Sequence, residues 1–293
     1  MLLCCMKTIK DVFFYFKQSL NQLYDANELE ALTLLTVAEI SELSKAMIKA
    51  FPEHELIPQQ IELLNNIITE LKTGKPIQYI IGKTEFYGLT FKVNPSVLVP
   101  RPETEELVEW VISYVNSRPS AINNILDIGT GSGCIAISLK RNIPGINVHA
   151  IDISTYALQT AKENAQLNQV NINLLEADIL NVRSESEIPK SEIIISNPPY
   201  VTLNDKTKMH TNVIDFEPHI ALFVPENDPL IFYKAIAAFA IANLNPNGLL
   251  FLEINENYGP EIISLLTEKG FKNLELRKDM NGRDRMIKAT KIN

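Results

Sequence analysis

No glycine occurs before Gly74 in this 293-residue chain, and the same stretch holds only two prolines, Pro52 and Pro58. A segment so long without the commonest breakers reads as packed helices rather than as short strands and loops. Cysteine is scarce too: three residues, with Cys4 and Cys5 adjacent, exclude a disulfide framework and a zinc site of ordinary spacing, and point to a reducing compartment. The four histidines, His54, His149, His210 and His219, form no pair with metal-ligand spacing. Each reads as a surface or locally bonded residue, and no metal is expected. No apolar run approaches the roughly 18 residues of a membrane helix. The start, "MLLCCMKTIKD", has neither the basic residue nor the cleavage site of a signal peptide. A cytoplasmic protein with no membrane partner is expected. Met6 would itself make a sensible start, so residues 1–5 receive no role. An excess of positive charge is also missing, since the formal net charge is −8. That removes the broad basic footprint by which proteins hold nucleic acid.

What is present falls into two regimes, as a chain beyond the usual size of one core suggests. Residues 1–73 read as a helical domain. Its clearest helix is "LEALTLLTVAEISELSKAM", with Leu29, Leu32, Leu35 or Thr36, Ile40, Leu43 and Met47 as the apolar face; another is "PQQIELLNNIITELKTG", started by Pro58 and stopped by Gly74. Residues 74–100 turn β-branched and aromatic, and "TEFYGLTFKVN" predicts a hairpin. From 101 to 293, short Ile/Val/Leu runs alternate with helical stretches: "NNILDIG", "INVHAIDI", "INLLEAD", "EIIISN", "GLLFLEIN", "KNLELRK" and "RMIKATK". The fold class is therefore α/β: a doubly wound, mostly parallel seven-stranded sheet closed by an antiparallel edge hairpin, beside the small helical domain.

Strand Ile125–Ile128 leads into the loop Gly129, Thr130, Gly131, Ser132, Gly133, where glycines let the backbone pass close beneath a ligand and turn into a helix. Similar loops serve nicotinamide and flavin cofactors. Here, however, G-x-G-x-G followed by Cys134 lacks the G-x-G-x-x-G spacing that seats a pyrophosphate. Asp127, just before the turn, sets a carboxylate beside the cofactor, which suits a sulfonium and an amino group. The pattern favours S-adenosylmethionine. Asp152 ends the next strand and can accept from both ribose hydroxyls, unless it caps the following helix, a task Ser154 can also perform. Asp178 stands at the analogous place one strand later and can reach the adenine edge, with Ile179 offering an apolar face.

The fourth strand ends in Asn197, Pro198, Pro199 and Tyr200. A planar NH₂ group, of glutamine or of adenine, is a poor nucleophile because its lone pair is delocalised, so both hydrogens must be held while the nitrogen faces the methyl group. The Asn197 side chain and the Pro198 carbonyl supply two acceptors, the prolines stiffen the loop, and Tyr200 can lie over the planar group.

These motifs together resemble the class I S-adenosylmethionine-dependent methyltransferases that modify NH₂ groups. More narrowly, the helical start, the connector with "PRPETEEL", "FEPHIALF", "LEINENYG" and "NGRDRMI" resemble the bacterial peptide chain release factor glutamine N5-methyltransferases. The related enzymes acting on a ribosomal-protein glutamine look more like proline-arginine-serine-proline at the connector. The resemblance implies methylation of the Gly-Gly-Gln glutamine of class I release factors, and a cleft lined in part by the segment holding Glu103 and Glu105. Both acids also read simply as first-turn residues favoured by the helix dipole. Some family members carry Trp where this chain has Ile179. An N6-adenine methyltransferase would use the same four residues, but the first 90 residues carry 8 basic against 11 acidic side chains, the wrong balance for a nucleic-acid reader. A binding-only module has no use for the NH₂ clamp. The helical domain is expected to dock the protein substrate, with no direct nucleic-acid contact.

Overall fold

The computed structural model describes residues 6–118, 122–181, 188–206 and 211–292. The expectations for residues 1–5, with Cys4 and Cys5, and for His210 lie outside that set. By its internal contacts the chain forms two compact units, Met1–Gly82 with His210–Phe216, and Lys83–Met209 with Glu217–Asn293.

The first unit is helical: α1 (Ile9–Leu20), α2 (Ala26–Ser41), α3 (Lys45–Ala50), α4 (Pro58–Leu71) and α5 (Ile77–Ile81). Thr8 and Asp11 start α1 as a capping box, each side chain accepting from the other's backbone N–H at 3.3 and 2.9 Å. Pro58 opens α4, and Gly74 follows it at φ +85°. The long helix expected from Leu29 to Met47 is instead two. Glu42 takes a left-handed conformation (φ 57°) that ends α2, and the Ser44 hydroxyl accepts from Met47 N at 3.2 Å to start α3. The expected face is borne out at Leu29 and Thr36, which are buried, and at Leu32, Leu35, Ile40 and Leu43, which pack partly buried against the core; Thr33, Leu34 and Val37 are buried as well, and Met47 is exposed. Because the buried residues of α2 include the polar Thr33 and Thr36, apolar periodicity does not single out its whole buried face. Thr33 and Thr36 tolerate burial because their hydroxyls donate to Leu29 O and Leu32 O, four residues back.

The second unit is built on seven strands: β3 (Asn124–Ile128), β4 (Asn147–Asp152), β5 (Asn173–Glu176), β6 (Ser191–Ser196), β7 (Leu244–Glu253), β8 (Phe271–Lys278) and β9 (Asp284–Lys291), after a separate pair, β1 (Lys83–Phe86) and β2 (Leu89–Lys92). Their order is β5-β4-β3-β6-β7-β9-β8. The first five run parallel, and β9 lies antiparallel to both β7 and β8. Seven strands, with an antiparallel hairpin at one edge, are as the sequence predicted. Parallel strands carry near-continuous apolar runs because both faces are covered. Ile193 and Ile195 enter the core on one face of the sheet and Ile194 the core on the other, all three fully buried. Helices α6 (Pro102–Asn116) and α7 (Cys134–Asn142) pack on the first face, and α9 (Ile231–Asn243) and α10 (Gly259–Glu268) on the second, with α8 (Thr155–Leu167) following β4. Between β3 and β6 the strand order reverses, which opens a crevice at the carboxyl ends.

In the small hairpin, Tyr87 and Gly88 both have positive φ (49° and 71°) between paired Phe86 and Leu89. Two such residues make the turn whose twist matches that of the strands. The Glu105 carboxylate accepts from Tyr87 N at 2.8 Å and helps hold the non-glycine residue there. No described helix is long and apolar enough to cross a membrane.

Candidate active site

The glycine loop is anchored by its own backbone. Gly129 N and Thr130 N both donate to Ile151 O, at 2.9 and 3.0 Å, so the loop folds over the end of β4. Its three glycines have different reasons to be glycine. At Gly129 (φ +73°) and Gly131 (φ +54°) an added Cβ would meet nothing within 4 Å; at Gly133 (φ +81°) it would lie 2.9 Å from Ile137 Cδ1 and 3.1 Å from Ala161 Cβ. The first two thus face open space, whereas Gly133 is required where α7 packs on α8.

That open space belongs to a cavity of about 210 Å³, lined among others by Gly129, Gly131, Asp152, Asp178, Ile179 and Pro199. Asp152 Oδ2 accepts from Gly131 N (2.8 Å) and Oδ1 from Ser154 N (2.9 Å), while Ser154 Oγ caps α8 by accepting from Ala157 N. Burial raises the Asp152 pKa, against the lowering effect of those backbone donors. Asp178 is tied into a tight turn, accepting from Leu180 N and Asn181 Nδ2. The cavity is mostly apolar, with two carboxylates at successive strand ends and bare backbone at the glycines. A nucleoside fits that donor and acceptor set.

Asp127 is not at the cavity. It is fully buried beneath the loop, where Oδ2 accepts from Thr130 Oγ1 at 2.6 Å and Oδ1 has no partner; burial pushes its pKa up to about 7. Thr130, Ser132 and Gly133 likewise stand behind the lining rather than in it. Their contribution is to shape the loop.

The crevice continues into a second cavity of about 410 Å³, lined by Arg101, Tyr200, Asn255, Asn257, Arg283 and Arg285, among others. Asn197, Pro198, Leu98 and Ala221 line both. Ser196 Oγ donates to Ile128 O at 2.7 Å, which fixes the end of β6 against β3 and so sets where Asn197 begins. The Asn197 amide nitrogen donates to Thr104 Oγ1 (3.1 Å), Thr104 donates to Glu253 Oε2 (2.7 Å), and Tyr200 donates to Glu253 Oε1 (3.1 Å). Tyr200 O in turn accepts from Asn255 Nδ2 at 3.1 Å. Burial raises the pKa of Glu253 and that of Tyr200. Across the entrance, Arg101 pairs with buried Glu217 at 2.5 Å, and Glu217 also accepts from Val99 N. Glu103 lines neither cavity, and Glu105 serves the hairpin turn.

Sequence reading missed Thr104, Glu253, Leu98 and Ala221. Only Glu253 left a signal: a carboxylate inside the run "LLFLEIN", where an unpaired charge would be costly. Chemically, the site offers a nucleoside-sized apolar slot that meets a polar cavity at an amide and a proline.

The chain matches a model described as Methyltransferase small domain over residues 109–216 and another described as PrmC N-terminal domain over residues 12–82. It is 46% identical to a release factor glutamine methyltransferase of Flavobacterium psychrophilum, over 96% of this chain and 98% of that one. With a protein of the same name from Bacteroides thetaiotaomicron the identity is 40%, over 94% and 98%. Among solved structures, the hMettl16 catalytic domain in complex with an RNA hairpin is similar at TM-score 0.53 and 14% identity, covering 82% of this chain and 84% of that one. A methyltransferase from Pyrococcus furiosus is similar at TM-score 0.51 and 17% identity, covering 71% and 91%. These last two likenesses concern the fold alone, that of the class I methyltransferases.

Proposed function

This chain belongs to the release factor glutamine methyltransferase family, and from that membership we propose that it transfers a methyl group from S-adenosylmethionine to the side-chain nitrogen of the Gly-Gly-Gln glutamine of class I peptide chain release factors. The observation that supports this most is the meeting of two cavities at Asn197 and Pro198. One suits a nucleoside cofactor, and the other is open to a polar side chain.

When bound, the cofactor supplies an electrophilic methyl group on a sulfonium. The residues do the rest. Asp152 accepts from the ribose hydroxyls, Asp178 takes the adenine edge, and Ile179 covers the base. Gly129 and Gly131 let the backbone approach the cofactor. Asn197 Oδ1 and the Pro198 carbonyl accept the two N–H groups of the glutamine carboxamide, which orients a weak nucleophile instead of activating it with a base. Pro199 holds the loop stiff, and Tyr200 walls the substrate side. The helical unit takes up the rest of the release factor.

The direct test incubates the enzyme with release factor and isotopically labelled cofactor, followed by mass spectrometry of the Gly-Gly-Gln peptide. One labelled methyl on that glutamine is expected; an unlabelled glutamine, or label on another residue, refutes the reading. Replacing the intact factor by a free Gly-Gly-Gln peptide should lower kcat/KM by about tenfold or more if the helical unit contributes binding energy. Equal values would leave that unit without a docking role.

Asp152→Ala should weaken cofactor binding first. Losing even one hydrogen bond to a charged group costs about 1.5–3 kcal/mol, so Kd measured by calorimetry should rise by at least roughly 10- to 100-fold. An unchanged Kd would take Asp152 off the ribose.

A further inference from the structure

We propose that Thr104 and Glu253 are positioning residues for the methyl transfer, fixing which end of the Asn197 amide faces the substrate. The inference rests on the reading of Asn197 as the acceptor for the substrate NH₂, and goes beyond it by naming what orients that acceptor. An asparagine amide is nearly symmetric in shape, and turned over it would present an NH₂ to an NH₂. Something must choose the orientation.

The chain of hydrogen bonds makes that choice. A carboxylate accepts and cannot donate. Glu253 takes the Thr104 hydroxyl hydrogen at 2.7 Å on Oε2 and the Tyr200 hydroxyl hydrogen at 3.1 Å on Oε1. Thr104 has one hydrogen, and it is spent on Glu253, so toward Asn197 its oxygen can only accept. The Asn197 atom 3.1 Å away is therefore Nδ2, and Oδ1 is the end available to a ligand. Thr104 and Glu253 are 2% and 1% exposed, which leaves water little access to replace either partner. Thr104 lies on α6, Asn197 directly follows β6 and Glu253 ends β7, places far apart in sequence.

Burial favours a proton on Glu253, while the two hydroxyl donors, Thr104 and Tyr200, favour the ionised acceptor form. Arg285 on β9 favours its ionised form, Glu103 on α6 opposes it, and Tyr233 on α9 donates to the Glu253 main-chain oxygen at 3.4 Å. A proton on Glu253 would reverse the chain: the acid would donate to Thr104, Thr104 to Asn197, and Oδ1 would turn inward. Burial already raises the Glu253 pKa, so kcat should fall on the acid side above the ordinary glutamate range.

Single-turnover rates and cofactor Kd are to be measured for Thr104→Val, Thr104→Ser, Glu253→Gln and Asn197→Ala, with the double variant Thr104→Val/Asn197→Ala. Thr104→Val keeps the shape and removes the relay; it should slow transfer by about 10- to 100-fold, with cofactor Kd within about twofold, and Thr104→Ser should restore most of the rate. Glu253→Gln can donate where the carboxylate accepts, and should slow transfer at least as much. In the Asn197→Ala background Thr104→Val should cost nothing further. Wild-type rates for Thr104→Val, or additive losses in the double variant, overturn the proposal. Full activity of Asn197→Ala would instead overturn the reading on which it rests. If Glu253→Gln does not fold, the Val and Ser pair at Thr104 still decides.

Discussion

Asn197→Ala is expected to lower kcat by about 10²- to 10³-fold, the size of effect seen when one preorganised polar contact to a developing transition state is removed. The amide nitrogen of the substrate must give up its planarity as it attacks, and its two hydrogens become more acidic as positive charge develops. An acceptor on each hydrogen is therefore worth more in the transition state than in the bound ground state. The Pro198 carbonyl remains in the variant, so activity should fall without vanishing. Cofactor Kd should stay within about threefold, because Asn197 touches only the rim that the two cavities share. Single-turnover methylation beside calorimetry separates the two quantities. A parallel loss of both would mean that Asn197 holds the cofactor and leaves the substrate to other groups.

Gly133→Ala is expected to destabilise the protein by about 2–5 kcal/mol, combining left-handed strain with overpacking. Its φ of +81° disfavours a side chain. The added Cβ would press on Ile137 Cδ1 at 2.9 Å, and on Ala161 at 3.1 Å from Cβ and 3.3 Å from Cα. Ile137 can shift, but the α8 backbone at Ala161 cannot. Gly131→Ala, one turn of loop away, should behave differently. Its φ is +54° and its Cβ would meet nothing within 4 Å, so the strain costs only about 1–2 kcal/mol and the damage should appear as weaker cofactor binding. Thermal unfolding without cofactor tests the contrast, and equal midpoints for the two variants would remove the packing role of Gly133.

The seven-stranded half was legible because its signals are local. Runs such as "EIIISN" are apolar over a strand's length, as double-sided burial demands, and the glycine-free first 73 residues, with only two prolines, admit little but helix. The break at Glu42 was not legible. No proline or glycine marks it: α2 ends on a left-handed glutamate, and the Ser44 cap starts α3 two residues later. Part of the buried face of α2 was hidden as well: Thr33 and Thr36 look polar in a sequence, yet satisfy themselves on their own helix.

The candidate site divides in the same way. Motif spacing along the chain was enough to mark the glycine loop, the strand-end carboxylates and Asn197 to Tyr200, because each is a contiguous turn whose chemistry depends on neighbours in sequence. The roles of Asp127, Thr104 and Glu253 could not be read this way. Asp127 belongs to the motif but points beneath the loop toward Thr130, as the pleat of β3 alternates its side chains between faces. Thr104 meets Asn197 across 93 positions and Glu253 across 149. Chain-local preference carries no information over such distances. Closing the parallel sheet is what brings α6, β6 and β7 together and gives an otherwise ambiguous amide one orientation.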